Sequence, residues 1–595
     1  MANISAKQLA NERTLRILAT VLSSFIGLVI LCYWIRVLYI RARGSRSYSQ
    51  LTSSFVLVSR FIRWSRYIRR FLINRRAGFP STGHALVVLA YIAVNVILIF
   101  TNLDYSKLNF YAARAGWMAS GNFALLVFLA LKNTPLAALI AYPYNSLNYF
   151  HQIAGYLTIG LVLLHAALYV PYFVVVKHEP EALVETKNIM GIVAGSAMFL
   201  ILLSVYLKRI HYELFYVAHV VLFLVSLIMF GLHRPQWIKR IPIIAAFVGG
   251  LWFSDRLLRG ARLLRHLLNN DATLSALSGI DGGGKGGTRV LLKKPLAYAT
   301  PGSHCFLWVP GVRTFETHPF TIVSNGPKGL ELVAWAEDGF TQSLLQMAQA
   351  GASGIWAAAE GPYGSFPDIT NYDKVVLIAG GSGATFAFGT ALNALERRSA
   401  GVGAVEQQRE QDISLIWATR RIEDTEWFAD HTKTLVASHN PRVSLTYYIT
   451  SALAVSWESD LSDSIRTTGH LSEVSISRSA PFGRQEEAIS NESGLSCKAK
   501  DEEKIVVTTV DGTTRGTCAI PSHAVVGGLS PVLKYEKPNL EEVILEAVKS
   551  VDNDQRVLVA SCGPDRMTKD VRNIVAQSMT ADGPSITLHC ESFAW

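Results

Sequence analysis

The stretch YFHQIAGYLTIGLVLLHAALYVPYFVVV (Tyr149–Val176) decides how the rest of the chain reads, together with its counterpart YELFYVAHVVLFLVSLIMFGLH (Tyr212–His233). Both are apolar enough to cross a bilayer, and each carries two histidines: His151 and His165 in the first, His219 and His233 in the second. Both pairs are 14 residues apart. At about 100° per residue, that interval falls roughly 40° short of four helical turns, so each pair shares one helix face, roughly 21 Å apart along the axis. The separation fits within a hydrocarbon core of about 30 Å. Polar groups at that depth are costly and usually mark function, and neutral imidazole is the commonest metal ligand. Two such helices running in one direction set His151 level with His219 and His165 level with His233. Each level then offers two axial nitrogens to one haem iron. Equal spacing on two spanning helices weighs against four histidines that merely hydrogen-bond backbone.

Composition agrees. In 595 residues half are hydrophobic and the mean hydropathy is +0.26, with the apolar residues concentrated before residue 260. A length of 595 implies several domains. The net charge of +11 is uneven: ten arginines and no acidic residue fall between Arg41 and Arg76. This run lies between two apolar spans, so the positive-inside rule accounts for it and a nucleic-acid partner is not expected. The six cysteines (Cys32, Cys305, Cys497, Cys518, Cys562, Cys590) show no CxxC spacing, hence neither a disulfide framework nor a zinc site.

Hydropathy predicts seven spans: Leu15–Ile40, Ala85–Leu103, Gly116–Leu131, Tyr149–Val176, Ile189–Leu207, Leu214–Leu232 and Ile241–Phe253. The first exceeds a signal-peptide core and lacks a clear cleavage site, so it reads as a retained anchor. Phe55–Phe71 mixes aromatics and arginines at helical spacing, the pattern of a helix lying on a lipid surface. Arg256, Arg259, Arg262 and Arg265 after the last span, and Lys208 and Arg209 before the sixth, share the side of the Arg41–Arg76 loop. The Lys177–Lys187 loop, with Glu179, Glu181 and Glu185, falls on the other. That side is extracytoplasmic, which sets His165 and His233 near the outer face and His151 and His219 near the inner.

After Ala272 short strand-like runs suggest a small barrel. From Lys374 strands and helices alternate as in an α/β sheet. The expected divisions are residues 1–83 (first span and basic loop), 84–260 (transmembrane histidine-bearing domain), 272–368 (barrel) and 372–595 (α/β domain). A Ser-, Glu- and Lys-rich stretch at 456–528 reads as an exposed, disordered insertion.

Short motifs punctuate this half. His318-Pro319-Phe320-Thr321 offers an aromatic face and a hydroxyl to a flavin. Gly339-Phe340-Thr341-Gln342-Ser343 opens a helix, whose free N–H groups suit a diphosphate. Gly361-Pro362-Tyr363-Gly364 reads locally as a turn. Gly380-Gly381-Ser382-Gly383 lies between strand and helix, as a nucleotide-binding turn does, and Cys562-Gly563-Pro564 follows a later strand. Arg420 and Arg421 follow the second strand, where an arginine can accept the 2′-phosphate of NADPH.

The order of these motifs, with Gly-Gly-Ser-Gly-Ala-Thr (380–385) and the terminal Glu-Ser-Phe-Ala-Trp, resembles the fungal ferric reductases of the ferric reductase and NADPH oxidase superfamily. The resemblance implies a multi-domain membrane protein: an α-helical bundle of about seven spans with two b-type haems, a ferredoxin-reductase-like β-barrel FAD domain and an α/β NADPH domain. It implies that His151, His165, His219 and His233 ligate haem iron. It implies that His318, Pro319, Phe320 and Thr321 contact FAD and that Gly339, Thr341 and Gln342 hold its diphosphate. It further implies that Gly380, Gly381, Ser382, Gly383, Thr385, Arg420, Cys562, Gly563 and Pro564 bind NADPH. Cys562 would lie near the nicotinamide, and Trp595 would cover the flavin until nicotinamide displaces it.

The implied activity is electron transfer from cytosolic NADPH, through FAD and two haems, to ferric or cupric chelates or siderophores outside the plasma membrane, coupled to iron uptake. Two other readings are a superoxide-producing NADPH oxidase and an inactive scaffold or transporter. The oxidases typically have one residue fewer between the second histidine pair, which favours metal reduction, and intact cofactor motifs disfavour the scaffold. The short stretch before the first span argues against an external metal-capturing domain.

Overall fold

The computed structural model describes residues 6–43, 56–74, 78–233, 240–277, 286–399, 411–438, 442–451, 504–508, 514–519 and 531–591, apart from single positions 105, 143, 315, 338, 365 and 581. Two compact units result: Met1–Asn269 with Ser303–Phe306 and Ala358–Phe366, and Asn270–Gly302 with Leu307–Ala357 and Pro367–Trp595.

The first unit is helical: α1 Ala6–Arg43, α2 Val56–Ile73, α3 Thr82–Phe100, α4 Leu108–Ala130, the short α5 Pro135–Ile140, α6 Tyr144–Pro171, α7 Thr186–Ser204, α8 Tyr212–Leu232 and α9 Arg240–Leu267. Seven of these are long and apolar enough to span a membrane, matching the seven expected. The last runs on through Arg256, Arg259, Arg262 and Arg265, because leucines at helical spacing continue the apolar face beyond Phe253. The helix expected at Phe55–Phe71 is α2, which presents Trp64, Tyr67 and Phe71.

Helix α4 is the most buried span. Its alanines, glycines and serines let neighbours approach closely, as in membrane bundles generally. Phe123 and Val127 of α4 join Ile159, Met198, Leu227 and Val248 in the central apolar cluster. Several polar groups at this depth are paired. Buried Arg114 donates to Asn11 Oδ1 (2.6 Å), Leu98 O (2.9 Å) and Thr101 O (2.7 Å). Tyr91 Oη donates to Asn122 Oδ1 (2.6 Å), and Asn122 Nδ2 donates to Asn95 Oδ1 (2.6 Å). Among described groups these are the satisfied donors that lipid demands.

The sheets begin with β1 Asp271–Leu277, β2 Gly287–Leu292, β3 His304–Trp308, β4 His318–Gly326, β5 Gly329–Trp335, β6 Ile355–Trp356 and β7 Ala358–Tyr363. They form one curled sheet in the order β6-β1-β2-β5-β4-β3-β7. Helix α10, Phe340–Gln349, follows β5. The second sheet holds β8 Lys374–Gly380, β9 Asp412–Thr419 and β10 Arg442–Ile449. Strands β11 Lys504–Thr508 and β12 Thr514–Ala519 pair antiparallel by themselves, and they are the described part of the insertion expected at 456–528. The rest of the second sheet is β13 Val532–Lys534, β14 Arg556–Cys562 and β15 Ser585–Glu591.

This second sheet is parallel, in the order β13-β10-β9-β8-β14-β15. Strand β8 carries an unbroken buried run, Val375–Gly380, as a strand covered on both faces should. From β8 the chain builds outward through β9 and β10, then returns to the other side with β14 and β15. The order therefore reverses between β8 and β14, and ligands of such sheets bind outside the strands' carboxyl ends at that point.

Candidate functional site

The four histidines pair as their spacing predicts. The rings of His151 (α6) and His219 (α8) have centroids 6.3 Å apart, and those of His165 (α6) and His233, which caps α8, 6.2 Å apart. A metal–imidazole nitrogen bond is about 2 Å, so two trans imidazoles on one metal have centroids about 6 Å apart. The residues fit a bis-imidazole haem at each level.

The tautomers fit as well. Nδ1 of His151 lies 3.0 Å from Leu126 O, that of His165 2.8 Å from Ala112 O, and that of His233 2.6 Å from Lys187 O. A carbonyl can only accept, so each Nδ1 carries the proton and Nε2 keeps a lone pair for the metal. His219 differs: its buried Nδ1 has no hydrogen-bond partner. Two glycines make room for the rings. A Cβ on Gly116 would meet His165 Nδ1 at 2.5 Å, and one on Gly191 would meet His233 Nδ1 at 2.5 Å. Sequence reading missed both, although a glycine within an otherwise apolar span was the available signal.

The flavin motif lies on β4, where Thr321 is buried. The His318 ring stacks on Phe340 (4.1 Å between centroids), and Phe320 lies 6.2 Å from Phe340. Phe340, the first residue of α10, thus joins the aromatic group, a role its place in the diphosphate motif hid. Gly339 caps α10 with φ +79°, a left-handed conformation that a side chain would strain. Thr341 Oγ1 is engaged with the backbone of Glu337, accepting from its N–H (2.9 Å) and donating to its carbonyl (3.2 Å), so the hydroxyl shapes the turn. Gln342 lies in the first turn of α10.

Most of Gly361-Pro362-Tyr363-Gly364 belongs to strand β7 rather than to a turn, since sheet pairing overrides the local Gly-Pro signal. Tyr363 Oη donates to the buried Glu360 carboxylate, whose other oxygen pairs with Arg259 Nε at 3.1 Å.

At the switch point the two nucleotide motifs meet. Gly380 ends β8, and Gly381–Gly383 form a 3-10 turn into α11, Ala384–Ser399. Strand β14 pairs with β8 and ends at Cys562. The turns touch so closely that a Cβ on Gly383 would lie 2.1 Å from Cys562 O, and one on Gly380 2.7 Å from Pro564 Cδ. A Cβ on Gly563 would lie 2.9 Å from Gly380 N. Thr385 Oγ1 donates to Ser382 O (2.9 Å), and Trp417 Nε1 donates to Gly381 O (3.0 Å), fixing the turn from both sides. Burial pushes the Cys562 thiol well above its ordinary pKa, with Glu591 and Cys590 adding to the shift, so it stays a neutral thiol. Arg421 pairs with Asp424 at 3.5 Å, whereas exposed Arg420 makes no ion pair with a described residue. Trp595 lies outside the described residues.

Bundle, curled sheet and parallel sheet follow one another along the chain. The family "Ferric reductase like transmembrane component" matches residues 115–230, "FAD-binding domain" 288–366, and "Ferric reductase NAD binding domain" 372–576. A probable cell surface ferric reductase of Aspergillus oryzae is 28% identical over 62% of this chain and 52% of its own length. Ferric reductase transmembrane component 3 of Saccharomyces cerevisiae is 26% identical over 53% and 49%. Ferric/cupric reductase transmembrane component 2 of the same yeast is 23% identical over 84% and 65%. The chain thus spans about half the length of the first two curated relatives and about two thirds of the third. It is similar to fungal ferric reductases, with matches to a ferric reductase transmembrane component, an FAD-binding domain and a ferric reductase NAD binding domain in that order.

Proposed function

We propose that the chain carries electrons from cytosolic NADPH, through FAD and two b-type haems, to ferric or cupric chelates or siderophores outside the plasma membrane, in support of iron uptake. The observation that carries this reading is the level pairing of the four histidines, with Nε2 left free for metal on the three whose Nδ1 is engaged. When bound, the flavin accepts a hydride and the haems pass single electrons, chemistry that side chains cannot supply.

The chain's own residues bind and aim. Ala112, Leu126 and Lys187 carbonyls fix three imidazole planes. The switch-point glycines clear a surface for the dinucleotide, Cys562 borders it as a neutral thiol, and Arg420 takes the 2′-phosphate. His318, Phe320 and Phe340 offer aromatic faces to the flavin, with Thr321 as hydrogen-bonding partner and Pro319 setting the strand. The N-terminus of α10, from Gly339 through Thr341 and Gln342, faces the flavin diphosphate. The resemblance assigns the covering of the flavin to Trp595.

Charge sets direction: the arginine-rich 41–76 loop is cytosolic, so His165 and His233 lie outermost. There Lys7 Nζ sits over the rings of Phe110 (5.3 Å) and Tyr169 (5.9 Å), and Tyr169 lies 4.9 Å from the His165 ring. Lys7 makes no ion pair with a described residue, which favours anionic chelates at this face.

The test is NADPH-driven reduction of impermeant Fe(III) and Cu(II) chelates by membranes, with superoxide measured in parallel. Ferrous product is expected, and His165→Ala abolishes it while NADPH still reduces the flavin. Superoxide without metal reduction, or full activity in His165→Ala, overturns the reading.

A further inference from the structure

Three of the four histidines obey one rule of local geometry, and the fourth breaks it. In an α-helix the side chain of residue i+4 leans back over the carbonyl of residue i. The carbonyls that receive His165, His233 and His151 are those of Ala112, Lys187 and Leu126. The residues four further on are Gly116, Gly191 and Ala130. Where that residue is glycine the bonds are 2.8 and 2.6 Å; where it is alanine the bond lengthens to 3.0 Å.

The acceptors on α4, Ala112 and Leu126, are 14 apart, like the histidines on α6. Applied to α7, the same interval from Lys187 reaches Ile201, and on α8 it leads back from His233 to His219. Four residues after Ile201 stands the β-branched Val205, at the position that corresponds to Gly191 four residues after Lys187. Ile201 O already accepts a hydrogen bond from Ser204 Oγ at 2.7 Å, and at Val205 the chain tightens into a 3-10 turn, Val205–Arg209. His219 Nδ1 is correspondingly buried without a partner.

We propose that Val205 and Ser204 withhold a main-chain hydrogen bond from His219, so that the His151–His219 site holds its haem at a higher reduction potential than the His165–His233 site. The inference rests on the two-haem reading above. A bond from Nδ1–H to a carbonyl makes the imidazole a stronger electron donor and favours oxidised iron. The outer level has two such bonds and the inner level one. Val205 and Ser204 are positioning residues: they touch no cofactor and act through the ligand. The consequence is that an electron rests on the cytosolic side until an acceptor drains the outer side, which limits leakage to unintended acceptors.

The experiment is a redox titration of the haem-loaded full-length protein, followed by visible absorption and checked for haem content. Wild type is expected to show two midpoints. Val205→Gly with Ser204→Ala lowers the higher midpoint towards the other at unchanged haem content. Val205→Ala with Ser204→Ala gives a smaller shift in the same direction, as the longer bond beside Ala130 implies. Gly191→Ala raises the lower midpoint, an independent arm should the Val205 variants fail to fold. Two unmoved midpoints at full haem content, or a shift of the lower one in the Val205 variants, overturn the proposal. Absence of haem from wild type would instead sink the underlying reading.

Discussion

The membrane half and the nucleotide half solve opposite problems. In the bundle, four side chains must be aimed at absent neighbours, and the main chain does the aiming: carbonyls of α4 and α7 hold three imidazoles. In the parallel sheet, side chains are removed so that two turns can meet, at Gly380, Gly383 and Gly563. Glycine serves both, for different reasons. Beside a histidine it admits a ring; between β8 and β14 it admits another backbone.

Sharpening that contrast starts with the largest effect. Gly116→Val puts a branched side chain where even a Cβ meets His165 Nδ1 at 2.5 Å. Haem content is expected to fall to about half, with the remaining haem at the other level; full haem content would break the comparison. Next, Gly383→Ala drives a methyl into Cys562 O at 2.1 Å. One is the buried turn after β8 and the other the end of β14, and neither backbone can yield cheaply. NADPH affinity is expected to drop by about a hundredfold, or about 2.7 kcal/mol, with flavin content retained. Arg420→Ala comes third. It removes a charge-assisted contact worth about 1.5–3 kcal/mol, so KM for NADPH rises at least tenfold while that for NADH hardly moves. Equal losses would release Arg420 from the 2′-phosphate.

Long-range periodicity was the legible part. Seven spans, the shared face of each histidine pair and their level pairing all follow from 3.6 residues per turn and hydropathy. The strand-turn-helix context of the Gly380–Gly383 turn was likewise visible, because punctuation by glycine between a buried strand and a helix is local. What stayed hidden depends on contacts between elements distant in sequence. A glycine in an apolar span signals a close approach at Gly116, but it does not name His165, 49 positions later, as the neighbour. Nor does the Gly-Pro pair at 361–362 reveal that β7 is held by a sheet and by a buried Arg259–Glu360 ion pair. Phe340 was read as part of a helix start, since its partner His318 lies 22 positions earlier, on strand β4.

The most direct test counts haem in the purified full-length chain and records its low-temperature electron paramagnetic resonance spectrum. Two low-spin, bis-imidazole haems per chain are expected. A single haem per chain, or high-spin iron with an open axial position, contradicts the pairing of His151 with His219 and of His165 with His233.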